Sequence, residues 1–147
     1  MFTVTKQYRD LPAAHRQPKH DGHCRQIHGH NWGFDITFTC ETLDSNGFVV
    51  DVGRLKQVKQ YLERMFDHTL LINGDDPLLD MFKEWDEQKL VSLVVVKNCG
   101  MEALAALVHR DVQGLIPVMG PDHLERGLAV TQVVCWEDGK NSATYRP

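Results

Sequence analysis

The chain has 147 residues, 42% of them hydrophobic and 24% charged, with a net charge of −4 at pH 7. That length bounds one domain, 1–147, with a single core. The acidic balance and the lack of a basic tract argue against nucleic acid and anionic membrane surfaces as partners, and no apolar run reaches the roughly 20 residues of a membrane helix.

Phe2 to about Ala14 carries strand-forming residues and runs into His15. Residues 16–27 are rich in Gly, Pro, His and charge and read as a long loop. From His28 to about Glu41, Phe34, Ile36 and Phe38 share one face of a second strand. A hairpin of these two strands would bring His15 near His28 and His30. Asp44-Ser45-Asn46-Gly47 is a turn. Asp51 is an N-cap for a helix in which Val52, Leu55, Val58, Leu62, Met65 and Phe66 recur at helical period, ending near Asp67. Asp67-His68 then sits at a helix-to-loop junction.

Asp76-Pro77 opens a short helix with Leu78, Leu79, Phe82 and Trp85 on its apolar face. Val91 to Val96 is a strand. Met101, Leu104, Leu107, Val108, Val112 and Leu115 mark a second long helix. Residues 117–126 are a Pro/Gly loop. Leu128 to Glu137 is a strand, Asp138 to Asn141 a turn, and Ser142 to Tyr145 a last strand. Two strands, two main helices with an insert, then two strands indicate an α+β fold, with an antiparallel sheet and both long helices on one face. The opening residues Met1 to Lys6 lack the apolar core of a signal peptide. The four cysteines, Cys24, Cys40, Cys99 and Cys135, show no framework spacing. Reduced thiols and a cytoplasmic location are therefore expected.

The chemistry is concentrated in Cys24-Arg25-Gln26-Ile27-His28-Gly29-His30-Asn31. In an extended segment His28 and His30 point to the same face, because strand side chains repeat every two residues. With His15 they offer three neutral imidazoles to one divalent metal and leave a fourth tetrahedral position open, as in a catalytic zinc site. Cys24 then stands beside the metal as a working thiol. A rival arrangement makes Cys24 a ligand with His28 and His30, closing a structural site.

These residues resemble a known family, the 6-pyruvoyltetrahydropterin and 6-carboxytetrahydropterin synthases. The resemblance runs in order through Ala13-Ala14-His15, Cys24 to Asn31, Gly47-Phe48-Val49-Val50-Asp51, Phe66-Asp67-His68, and Glu137 through Ala143-Thr144-Tyr145. It implies the tunnelling fold, ββααββ subunits joined through their sheets into an oligomeric barrel, with a hexamer favoured. It implies Zn2+ on His15, His28 and His30. It implies Cys24, Asp67 and His68 as the proton-transfer set, Glu137 as the anchor of the pterin ring, and Glu102 as a second substrate-binding carboxylate. The implied partner is a small-molecule pterin, dihydroneopterin triphosphate. In the carboxy branch the products are 6-carboxytetrahydropterin, acetaldehyde and triphosphate, on the path to queuosine. In the pyruvoyl branch triphosphate is eliminated. The three-residue gap between Cys24 and His28 resembles the carboxy branch. A non-catalytic pterin-binding module stapled by zinc is the alternative outside the enzymes. Two departures stand out. Cys99-Gly100-Met101-Glu102 replaces the usual Pro-Thr-x-Glu, keeping the glutamate but not the threonine hydroxyl. The connection from Thr69 to Lys97 is longer than the family minimum.

Overall fold

Val4, Phe34, Ile36 and Phe38 alternate with more polar neighbours, and in the computed structural model, which describes Met1–Pro147, they lie on two long paired strands. β1 (Phe2–His15) and β2 (His28–Cys40) run antiparallel, with Val4 opposite Phe38 and Tyr8 opposite Phe34. The expected hairpin therefore forms, and it places His15 opposite His28 and Ala13 opposite His30.

That placement depends on a β-bulge. Arg9 and Asp10 of β1 together oppose the single residue Gly33 of β2, between the pairs Tyr8–Phe34 and Leu11–Trp32. The extra residue shifts the phase of the strand. Before the bulge the even positions Val4, Lys6 and Tyr8 lean into the molecule. After it the odd positions Leu11, Ala13 and His15 are buried. Without the bulge His15 would face away from His28 and His30. Asp10, in the bulge, is left-handed with φ 62°, and its carboxylate accepts a 3.1 Å hydrogen bond from Asn31 Nδ2. Gly33 is needed because the strand backbones approach closely. A Cβ there would stand 3.1 Å from the Tyr8 carbonyl oxygen and 2.9 Å from Arg9 Cδ.

The remaining elements are α1 (Lys56–Phe66), β3 (Thr69–Asn73), α2 (Leu79–Glu87), β4 (Leu93–Val96), α3 (Met101–Met119), β5 (Ala129–Trp136) and β6 (Ser142–Tyr145). The strands form one sheet in the order β4-β3-β1-β2-β5-β6. α1 and α3 cover the face that carries Trp32, Phe34, Ile36 and Phe38. α1 buries Val58, Tyr61, Leu62 and Phe66, and α3 buries Leu104, Ala105, Val108, Val112 and Ile116. Each such apolar side chain contributes roughly 1.5–3 kcal/mol by leaving water. Tyr61 Oη donates to Asp111 Oδ2 at 2.8 Å and ties the two helices together.

The α+β architecture is as expected, but four details differ. The sheet is mixed, because β3 runs parallel to β1 and β4 parallel to β3. β3 lacks a sequence signature because all five of its residues are buried, so nothing alternates. Leu71 joins the main core, whereas Leu70 and Ile72 point the other way and pack with Phe82 of α2. A third helix thus covers part of the opposite face. Asp51 caps a 3₁₀ turn, Val52–Arg54, and α1 begins only at Lys56. Finally, α3 continues through Pro117 to Met119, so the loop expected at 117–126 starts later. No helix is long and apolar enough to cross a membrane.

The bulge makes a direct prediction. Gly33→Val forces a branched side chain against the Tyr8 carbonyl. It is expected to lower stability by about 1–3 kcal/mol, seen as a lower urea midpoint at unchanged slope. An unchanged midpoint would show that the bulge tolerates a side chain.

Candidate metal centre

The sheet delivers three imidazoles to one point. His15, His28 and His30 each present a ring nitrogen, and these nitrogens lie within 4.8 Å of one another. Their outer nitrogens are all engaged. His15 Nδ1 meets the Cys99 carbonyl at 2.8 Å, His28 Nδ1 the Gln26 carbonyl at 2.7 Å, and His30 Nδ1 the Asp138 carboxylate at 3.2 Å. An acceptor on Nδ1 fixes the proton there and leaves the Nε2 lone pair for a metal. His15 Nε2 and His28 Nε2 are 3.1 Å apart. Two nitrogens at about 2.0–2.1 Å from a tetrahedral zinc stand about 3.3 Å apart. The His15–His28 spacing suits an ion, His30 offers a nitrogen within 4.8 Å of both, and the three-nitrogen donor set fits zinc with one position open. Trp32 is fully buried beneath them, edge-on to His15 and His30, with centroid separations of 5.0 and 5.4 Å.

Burial pushes the His15 pKa down to about 4. The Cys99 carbonyl bond works against this shift, and His28 and His30 add to it. His15 is therefore neutral at pH 7, the form that binds a metal. A polar network builds its Cys99 partner. Asn73 Oδ1 accepts from the Cys99 amide, Asn98 Oδ1 accepts from the Gly100 amide and from Gln17 Nε2, and Gln17 Oε1 accepts from Asn73 Nδ2. The Cys99 thiol donates to the Arg16 carbonyl at 3.0 Å, and burial pushes its pKa up to about 11. Cys99-Gly100 thus serves here to hold His15. No sequence pattern marks this network, because its members are scattered amides and a backbone carbonyl.

The histidines open onto a cleft of about 560 Å3, within the usual range for small-molecule sites. Cys24, Glu102 and Glu137 line the same cleft. Cys24 lies in a short 3₁₀ turn, His23–Arg25, and is not among the atoms that converge with the three rings. The open arrangement is therefore favoured over the closed one. Glu102 stands in the first turn of α3, where the helix dipole favours a carboxylate. Glu137 follows the end of β5, and its amide donates to the Asn141 carbonyl to close the turn. Cys135, two residues earlier, is buried beneath both carboxylates. Its pKa is raised by burial first and then by Glu137 and Glu102.

Asp67 and His68 are not brought into this cleft. They lie where α1 passes into β3, with His68 at φ 58° and its amide donating to the Pro12 carbonyl at 2.7 Å. Asp67 Oδ1 holds His68 Nδ1 at 2.6 Å, and the His68 side chain is 84% exposed. It borders a second cleft with Pro12, Ala14, Gly29, His30, Asn31 and Asp138, so His30 lines both clefts. Sequence reasoning also missed Asp138, which appeared only as a turn residue.

Comparison with known proteins places the chain in a family and a fold. Residues 3–147 match the family model described as 6-pyruvoyl tetrahydropterin synthase. A probable 6-carboxy-5,6,7,8-tetrahydropterin synthase of Halobacterium salinarum is 32% identical over 73% of this chain and 67% of its own length. The 6-carboxy-5,6,7,8-tetrahydropterin synthase of Bacillus subtilis is 30% identical over 93% of this chain and 80% of its own. The chain spans about half the length, 49%, of the Rickettsia typhi 6-carboxy-5,6,7,8-tetrahydropterin synthase, with 35% identity. Among solved structures, an uncharacterized protein of Wolinella succinogenes superposes with a TM-score of 0.81 at 19% identity, covering 99% of this chain and 97% of its own. The 6-pyruvoyl tetrahydropterin synthase of Caenorhabditis elegans gives 0.62 at 21% identity, covering 100% and 97%. These two likenesses show a shared fold.

The loop after His15 is anchored by a buried ion pair. Arg16 Nε and Nη2 hold both oxygens of Asp76 at 2.7 and 3.0 Å, and the Asp76 side chain is fully buried. Burial alone would raise the Asp76 pKa, but the Arg16 fork and the Leu78 amide outweigh it and hold it below the usual value. Asp76→Ala leaves Arg16 without its partner and should cost about 3–5 kcal/mol at pH 7. Because the folded pKa is depressed, the pair's contribution is present above the unfolded value of about 3.9 and lost as pH falls through the folded value. Urea unfolding of wild type and variant at pH 7 and pH 3 checks both points. A gap that does not shrink at pH 3 would contradict the account.

Proposed function

The chain belongs to the 6-pyruvoyl tetrahydropterin synthase family, and on that basis we propose that it is a zinc-dependent 6-carboxy-5,6,7,8-tetrahydropterin synthase of queuosine biosynthesis. With one water it converts 7,8-dihydroneopterin triphosphate to 6-carboxytetrahydropterin, acetaldehyde and triphosphate. The observation that carries this reading is the convergence of His15, His28 and His30 in one cleft with Cys24, Glu102 and Glu137. The names of the curated relatives favour the carboxy branch over the pyruvoyl branch.

Bound to the three histidines, zinc supplies Lewis-acid polarisation of a substrate oxygen. The protein's own groups do the rest. The Glu137 carboxylate accepts hydrogen bonds from the pterin ring N–H and exocyclic amine together, which orients the side chain toward the histidines. Glu102 adds a second acceptor on the same wall. Cys24 is the base that takes a proton from a carbon of the substrate side chain. His68, oriented by Asp67, handles the complementary proton.

This last step requires more than one copy of the chain. The dyad is absent from the lining of the Cys24 cleft in its own subunit, with the His68 side chain exposed, and a neighbouring copy would bring it to Cys24. Free strand edges support such assembly. β1 is paired on its outer side only at Ala13–His15, and β6 pairs only with β5. Unpaired edges of this kind invite another strand. A homo-oligomeric barrel, with a hexamer favoured, joins them and shares the site.

Three outcomes are expected. Zinc-loaded protein given dihydroneopterin triphosphate should yield 6-carboxytetrahydropterin and acetaldehyde by mass. A 6-pyruvoyl product would move the chain to the other branch, and binding without turnover would leave a pterin-binding module. Cys24→Ala should keep its zinc and lose turnover by about 10²–10⁴; loss of zinc instead would restore the closed structural site. Light scattering at micromolar concentration should find an oligomer, and a strict monomer would contradict the shared site.

A further inference from the structure

One of the three histidines is held differently from the others. His15 and His28 give their Nδ1 protons to peptide carbonyls, of Cys99 and Gln26. His30 gives its proton to a carboxylate, Asp138 Oδ2, at 3.2 Å. A carboxylate behind an imidazole does two things a neutral carbonyl does less well. It makes the ring a more basic ligand, and it holds the ring plane through a charge-assisted bond.

We propose that Asp138 is a positioning residue for the metal, acting through His30. This inference rests on the zinc reading above. Its strength comes from the local backbone. Glu137 and Asp138 are neighbours at the end of β5, and the turn they enter is closed by the Glu137 amide on the Asn141 carbonyl at 3.1 Å. Glu137 enters the cleft beside the three rings, while Asp138 reaches the outer nitrogen of His30. One short turn therefore sets both a carboxylate facing the substrate space and the orientation of a ligand. Asp138 is the only hydrogen-bond partner of the His30 ring, whereas the His15 and His28 rings also meet each other through Nε2 at 3.1 Å. Asp138 is half exposed, its side chain at 48%, so water weakens the bond and the effect belongs at the lower end of what such partners supply.

The test is zinc affinity by chelator competition on the purified full chain, with the melting temperature of the stripped protein as a control for folding. Asp138→Ala should bind zinc about tenfold more weakly, within the 10–100-fold range for such partners. Its stripped protein should melt with wild type. Asp138→Asn keeps an acceptor oxygen without the charge and should fall between the two. Lys140→Ala, in the same turn but away from His30, should match wild type. Equal affinity in Asp138→Ala and wild type would overturn the proposal. So would an equal loss in Lys140→Ala, which would assign the effect to the turn rather than to the carboxylate. Absence of zinc binding in wild type would instead remove the metal reading itself.

Discussion

Everything at the metal centre depends on one extra residue in β1. The bulge at Arg9–Asp10 changes which face the rest of the strand presents, and so decides that His15 meets His28 and His30. The same shift turns Leu11 and Ala13 into the core. The metal site and the end of the hydrophobic core are therefore specified by a single irregularity. It is held by Asp10 in a left-handed conformation and by the absence of a side chain at Gly33. A second bulge, at Thr131 of β5, has a related effect. It changes phase between Val130 and Val133, so that Val133 and Cys135 face the core and Glu137 follows on the same side.

Three segments distant in sequence meet around the three rings. The start of α3 supplies the Cys99 carbonyl and Glu102, the 16–27 loop supplies Cys24 and the Gln26 carbonyl, and the turn after β5 supplies Glu137 and Asp138. One of these segments is the first turn of a helix and the other two are a loop and a turn, and each is tied down. The Arg16–Asp76 pair fixes the loop, the Gln17–Asn73–Asn98 network fixes the approach to α3, and Glu137–Asn141 fixes the turn. These segments are thus tied to the sheet by polar contacts, which is what an orienting site requires. The Asp67–His68 dyad is built on the opposite side of β1, and it is the part of the machinery that one subunit does not gather.

Much of this was legible in the sequence. His28-x-His30 on a strand gives two ligands on one face by strand geometry alone, and the hairpin to His15 follows from two strand-like runs separated by a loop. The short helix with Phe82 and Trp85 and the strand at Leu93–Val96 were also readable. What was not legible has physical reasons. The Arg9–Asp10 bulge contains no glycine, so its left-handed residue gives no compositional warning. β3 is buried on both faces and shows no alternation, which hid the parallel pairing and the placement of α2 on the other face. Asp138 and the Cys99 carbonyl act through a histidine rather than at the centre, and no spacing rule marks such partners.

The central claim is that the three outer hydrogen bonds aim three Nε2 atoms at one ion and leave a position open. X-ray absorption at the zinc edge of the metal-loaded protein tests this most directly. The account predicts three nitrogen scatterers at about 2.0–2.1 Å with the imidazole multiple-scattering pattern, one further light ligand, and no sulfur at about 2.3 Å. A sulfur shell in the resting protein, or fewer than three imidazoles, would contradict it.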